Sequence, residues 1–81
     1  MRNYKSKKRR AINAADEINS LVEKTTAKVH LYDEEILVNV FVEYDDDDFM
    51  THTCEVEAIL KKHRIPIGDN WEESWMAAGW R

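Results

Sequence analysis

Between Val29 and Tyr44 two short runs carry their apolar residues at a two-residue period on either side of an acidic break, and no other stretch restricts the fold as much. Val29 and Leu31 alternate with Lys28, His30 and Tyr32. Ile36, Val38, Val40, Val42 and Tyr44 then alternate with Leu37, Asn39, Phe41 and Glu43. A period of two belongs to strands, so residues 27–44 are expected to form a β-hairpin turning near Asp33-Glu34-Glu35. That turn lacks an Asn-Gly or Asp-Gly pair, which predicts a looser or bulged connection. The second strand is apolar on both sides around Leu37 and Phe41, which argues for a central position in the sheet.

Ahead of the hairpin the period is helical. Ala11, Ala14, Ala15, Ile18, Leu21 and Val22 recur at three- and four-residue steps from Arg10 to about Lys24. Asn3 or Ser6 is placed to cap this helix, and the β-branched pair Thr25-Thr26 to end it. The basic cluster then occupies its first turns, where cations oppose the helix macrodipole and favour fraying. After the hairpin, Asp45 to Asp48 must be a solvated turn, since adjacent carboxylates repel and none tolerates unpaired burial. Phe49 to Cys54, with Thr51-His52-Thr53, favours a third strand. Val56, Ile59, Leu60 and His63 predict a helix over 55–64, stopped by Pro66. Ile65 to Gly68 then connect to a last helix that Asp69 or Asn70 caps, with Trp71, Trp75 and Ala78 on one face and an end near Gly79. The expected fold is α+β in the order α-β-β-β-α-α, with a sheet of two or three antiparallel strands. A basic arm over 1–9 precedes a single domain over 10–81.

For 81 residues and 9.6 kDa, size scaling predicts a folded surface of about 5,000 Å² against about 14,000 Å² unfolded, so the core is small. Cys54 is the only cysteine, which excludes an internal disulfide and fits a reducing compartment. The basic start leads into Ala11-Ile12-Asn13-Ala14-Ala15-Asp16-Glu17, not an apolar signal-peptide segment. No run reaches the ~18 apolar residues of a membrane span. A cytoplasmic protein without a membrane partner is therefore expected.

The charge is split. Residues 1–10 carry six cations (Arg2, Lys5, Lys7, Lys8, Arg9, Arg10) and no acid, so a net charge of −4 leaves −10 on the remainder. The acids Asp33, Glu34, Glu35, Glu43, Asp45, Asp46, Asp47 and Asp48 are candidates for a partner-binding surface that spreads carboxylates as DNA spreads phosphates. Trp80 is a candidate aromatic anchor. The six cations of the arm are the alternative, a nucleic-acid backbone contact. Chemistry beyond binding is not indicated. A calcium loop starting at Asp45 would need Gly at position 50 and Glu at 56, where Met50 and Val56 stand. His52 and Cys54, with His63 or His30, match no zinc spacing. There is no Gly-rich phosphate loop or nucleophile elbow. No cofactor, metal or catalytic residue is expected.

The order helix, three strands, helix over 10–64 resembles the double-stranded RNA-binding domain. The resemblance is one of topology alone, because Cys54-Glu55-Val56-Glu57 stand where that family carries a Gly- and Lys-rich phosphate-binding segment. Small size, acidity and lack of catalytic motifs are similar to those of small phage-encoded host-takeover proteins, such as anti-CRISPR and nuclease inhibitors. The sequence reading is therefore a protein-binding inhibitor or regulator of a host nucleic-acid enzyme. Its rivals are a nucleic-acid-binding accessory protein using the basic arm, and a homo-oligomeric structural subunit. Monomer and homodimer both fit.

Overall fold

A computed structural model describes residues 2–44, 47–68 and 71–80. The elements run α1 (Tyr4–Leu21), β1 (Thr25–Leu31), β2 (Ile36–Val42), α2 (Phe49–Lys62) and β3 (Trp75–Trp80). The three strands form one antiparallel sheet in the order β1-β2-β3. The fold is thus α+β, with β2 in the centre as its two-sided apolar character requires.

Two expected elements are replaced. Residues 49–54 are the first half of α2 and not a third strand. Thr51-His52-Thr53 have little helix propensity, but Phe49, His52, Thr53, Val56 and Leu60 share one helical face and are buried or half-buried against the core. Tertiary burial outweighs the few tenths of a kcal/mol of propensity at each residue. The Thr53 hydroxyl donates to the Met50 carbonyl at 3.0 Å, which satisfies it within the helix. The expected final helix is instead β3. Met76, Ala78 and Trp80 alternate toward the core while Trp75, Ala77 and Gly79 face outward, and β3 supplies the second hydrogen-bonding neighbour that β2 needs. The order is therefore α-β-β-α-β, and the double-stranded RNA-binding topology does not hold. The proposed caps Asp69 and Asn70 lie outside the described residues.

The hairpin is also tighter than expected. Its register runs without a bulge from Thr25↔Val42 to Leu31↔Ile36, and the Tyr32 N–H donates to the Glu35 carbonyl at 2.9 Å. Helix α1 starts at Tyr4, six residues ahead of the expected start at Arg10, and takes in most of the basic segment. The Asn3 side chain makes no capping bond, so the backbone bond from Lys7 N–H to the Asn3 carbonyl opens the helix.

The core lies between the helices and one face of the sheet. Ile36, Val38, Val40 and Val42 of β2 are fully buried, facing Ala11, Ala14 and Ile18 of α1 and Val56 and Leu60 of α2. Helix α2 ends in a Schellman turn. The Ile65 N–H bonds the Leu60 carbonyl, the Arg64 N–H bonds the Lys61 carbonyl, and Arg64 occupies the left-handed position at φ 58° where glycine is usual. Ile65, buried after the turn, directs Pro66 to Gly68 along the outer edge of β3, where the Gly79 N–H donates to the Pro66 carbonyl at 2.9 Å.

Candidate functional site

The sequence places cations in two distant segments, and the fold brings them together. Helix α2 meets α1 through its C-terminal turn, which touches α1 at Arg10 and at Glu17. Arg10 is the joint between them. Its Nε donates to the His63 carbonyl at 2.9 Å and its guanidinium also donates to the Arg64 carbonyl. A cation at a helix C-terminus satisfies orphan carbonyls and complements the macrodipole. Two turns further along, Glu17 of α1 receives both Lys62 and His63, the latter at 3.2 Å. The Lys62 hydrogen bond, followed by that of His63, holds the Glu17 carboxyl below its ordinary range.

Nine of the twelve Lys/Arg are therefore at one end: Arg2, Lys5, Lys7, Lys8, Arg9, Arg10, Lys61, Lys62 and Arg64. Neither contributing segment, 2–10 or 61–64, contains a carboxylate. Ser6, Arg10, Lys62, His63 and Arg64 line a cleft of about 350 Å³ between the helices. Lys5, Lys8, Arg9 and Lys61 are exposed around it. Trp80 sits at the same end, half-buried, its ring centroid 5.6 Å from the Lys7 ammonium and 5.1 Å from the Arg10 guanidinium. These contacts hold Trp80 under α1. The Lys61–Arg64 half of this surface is what sequence reasoning missed, and only the cationic end of the 55–64 helix pointed to it.

The acidic candidates are not brought together. Asp33, Glu34 and Glu35 are exposed in the hairpin at the cationic end of the sheet, while Glu43, Asp47 and Asp48 are exposed at the other. The length of β2, about 25 Å at strand rise, separates the two groups. Asp45 and Asp46 lie outside the described residues. His52 and Cys54 do not share a face, because in a helix two residues are about 200° apart. His52 is buried and Cys54 exposed.

A second surface is the sheet face turned away from both helices. Its outward positions are Thr26, Lys28 and His30 on β1, Leu37, Asn39 and Phe41 on β2, and Trp75, Ala77 and Gly79 on β3. Phe41 and Trp75 are register partners at one end of it. Trp75, expected on one face of a last helix, is part of β3 and stands on the open face of the sheet. Trp71 packs inward, edge-on to Phe49 at 6.3 Å between centroids. No helix among the described residues is long and apolar enough to cross a membrane. Comparison with protein-family models, with curated proteins and with solved structures finds no match for this chain.

Proposed function

We propose that the chain is a non-enzymatic nucleic-acid-binding accessory protein that contacts the phosphate backbone with its cationic end. The observation that carries this reading is the junction of α1 and α2, which adds Lys61, Lys62 and Arg64 to the basic segment around one cleft. Stability accounts for Arg10, bonded to the end of α2, and for Lys62, paired with Glu17, but not for the cations that open α1. Each cation in the first turn of α1 opposes the macrodipole at a cost of about 0.3–1 kcal/mol, and there is no acid among residues 2–10 to offset it. A surface of this kind gains affinity by releasing counterions from phosphates, independently of sequence.

The test is binding of labelled oligonucleotides across a range of salt by wild type and by the exposed-residue variant Lys5→Gln/Lys8→Gln/Arg9→Gln. Substitution is preferable to deleting residues 1–9, which would remove Tyr4 from its packing against the core. Affinity should fall linearly on a log-log salt plot, and the variant should flatten the slope by about 0.7–0.9 per lost phosphate contact. The inhibitor reading, with the acids as phosphate mimics, predicts the opposite. Changing Asp47 and Asp48 to Asn would then abolish binding to a host protein, and the cationic variant would behave as wild type.

A further inference from the structure

We infer that the open face of the sheet is a stacking platform for the bases of a single-stranded nucleic acid, with Phe41 and Trp75 as its rings and Lys28 as a phosphate contact. The inference rests on the proposed backbone binding and assigns the class of nucleic acid, which the cationic end alone does not.

The rings come first. Phe41 is 50% and Trp75 48% exposed, although the small core has uses for both. They are register partners on β2 and β3. The Val42 N–H donates to the Ser74 carbonyl at 2.7 Å, so the hydrogen-bonded pairs of this ladder are the neighbouring ones and Phe41 and Trp75 form a non-hydrogen-bonded pair. Side chains in such a pair stand closest together. Among the described residues the aromatic pairs join Tyr44, Phe49 and Trp71, and neither Phe41 nor Trp75 takes part in one. Single exposed apolar residues need no explanation, but two adjacent rings at the end of a groove do.

Charge then selects the occupant. The groove has a volume of about 520 Å³, and its lining includes Thr26, Lys28, His30, Asn39, Phe41 and Trp75. None of the nine outward strand positions is acidic; Glu23 and Glu43 beside Phe41, and Glu72 beside Trp75, stand exposed past the strand ends and leave Lys28 and His30 as the charge-bearing groups of the groove itself. Lys28 is two residues along β1 from Thr26, the cross-strand neighbour of Phe41, or about 7 Å at strand rise. A purely apolar protein partner would leave Lys28 to be desolvated unpaired. An anionic ligand carrying flat π-faces satisfies the rings, the cation and the Asn39 amide together. Stacking on exposed rings beside a cationic track is the general way single strands are bound without sequence preference. A duplex keeps its bases stacked inside and presents only phosphates to such a face.

The experiment measures fluorescence anisotropy of labelled oligothymidylate, oligouridylate and a DNA duplex of equal length. It uses wild type, Phe41→Ala/Trp75→Ala, Trp75→Leu, Trp75→Tyr and the Lys5/Lys8/Arg9 variant above. Trp75→Leu keeps an apolar side chain suited to packing but no π-face, so it stands in if the double variant does not fold. The inference expects Trp75→Leu to weaken binding of one or both single strands about tenfold, Trp75→Tyr to restore most of it, and duplex affinity to stay unchanged. Oligothymidylate and oligouridylate separate a DNA from an RNA ligand. Equal single-strand affinity in wild type, Trp75→Leu and the double alanine variant would overturn the platform while leaving the cationic end intact. Loss of all binding in the Lys5/Lys8/Arg9 variant, with single-strand affinity lowered and duplex affinity retained in Trp75→Leu, would support both readings. If wild type binds no oligonucleotide and the sheet variants instead lose a purified protein partner, both readings fall and the face is a protein interface.

Discussion

The side chain of Asn19 grips the backbone of Ala27 from both directions: its Oδ1 accepts from the Ala27 N–H at 2.8 Å and its Nδ2 donates to the Ala27 carbonyl at 2.9 Å. The amide of a helical residue thus acts as one residue of a missing strand on the outer edge of β1. Ala27 is buried, so its backbone groups have little recourse to water. Replacing Asn19 with Ala leaves both without partners and should cost about 1–3 kcal/mol. Asn19→Asp keeps the acceptor and loses the donor, and should fall between Ala and wild type. Urea unfolding with a constant m-value checks the order.

Glu17 ties α1 to α2, and its contribution depends on pH in one direction. Because Lys62 and His63 depress its carboxyl in the folded state, the stabilisation is present above the unfolded carboxylate range and is lost as pH falls through the lower folded value. Glu17→Gln should therefore be less stable than wild type at neutral pH, and the gap should close as pH falls through the lowered folded value, below which both side chains are uncharged. Melting temperatures of the two proteins across that range test the sign; a gap that widens in acid would refute the assignment.

Gly79 is required by its backbone. It adopts φ 129°, and a Cβ there would stand 2.0 Å from the Ile36 carbonyl oxygen on β2. The neighbour is main chain inside the ladder and has no freedom to move aside. Gly79→Ala should destabilise the domain by at least about 2 kcal/mol through strain and lost pairing. The melting temperature, compared with that of Ala77→Gly on the same outer face, separates this effect from a general weakening of β3.

Cys54 is exposed on the outward side of α2. A thiol reagent should modify it in the native protein at a rate close to that in urea, with little change in melting temperature. A native rate slowed a hundredfold or more would place it in the core, as a strand over 49–54 would have done.

The elements legible in the sequence are those whose burial pattern and propensity agree. Ala11, Ala14, Ala15 and Ile18 announce α1, and the two-sided apolar run around Leu37 and Phe41 announces a central β2. The misread elements are those where the two conflict. In α2, Thr51 and Thr53 favour a strand locally, while the stripe from Phe49 through Val56 to Leu60 emerges only when a helical window starts at 49. In β3, Trp71, Trp75 and Ala78 happen to fit a helical face, and Met and Ala favour a helix. The alternation of Met76, Ala78 and Trp80 is too short to prevail without knowledge that β2 lacks a neighbour. For the candidate site, the basic segment was visible and its partner was not, because Arg10 and Arg64 meet across a separation that no local spacing encodes. The ring pair on the sheet was hidden by the same error that turned β3 into a helix.

The position of β3 also governs what the chain risks while it folds. α1, β1 and β2 are consecutive and can assemble through contacts between neighbours, but the far edge of β2 is closed only after α2 has been laid down and the chain has returned. Late, non-local strand pairing is slow relative to local pairing. In any state with β3 undocked, the run Ile36-Leu37-Val38-Asn39-Val40-Phe41-Val42 presents a bare edge with apolar side chains on both faces and no charge. Such a segment is a template for pairing with its own kind in another molecule. Mutations that loosen β3 should therefore be recognised by insolubility and seeded fibre growth before they are recognised by a lowered melting temperature.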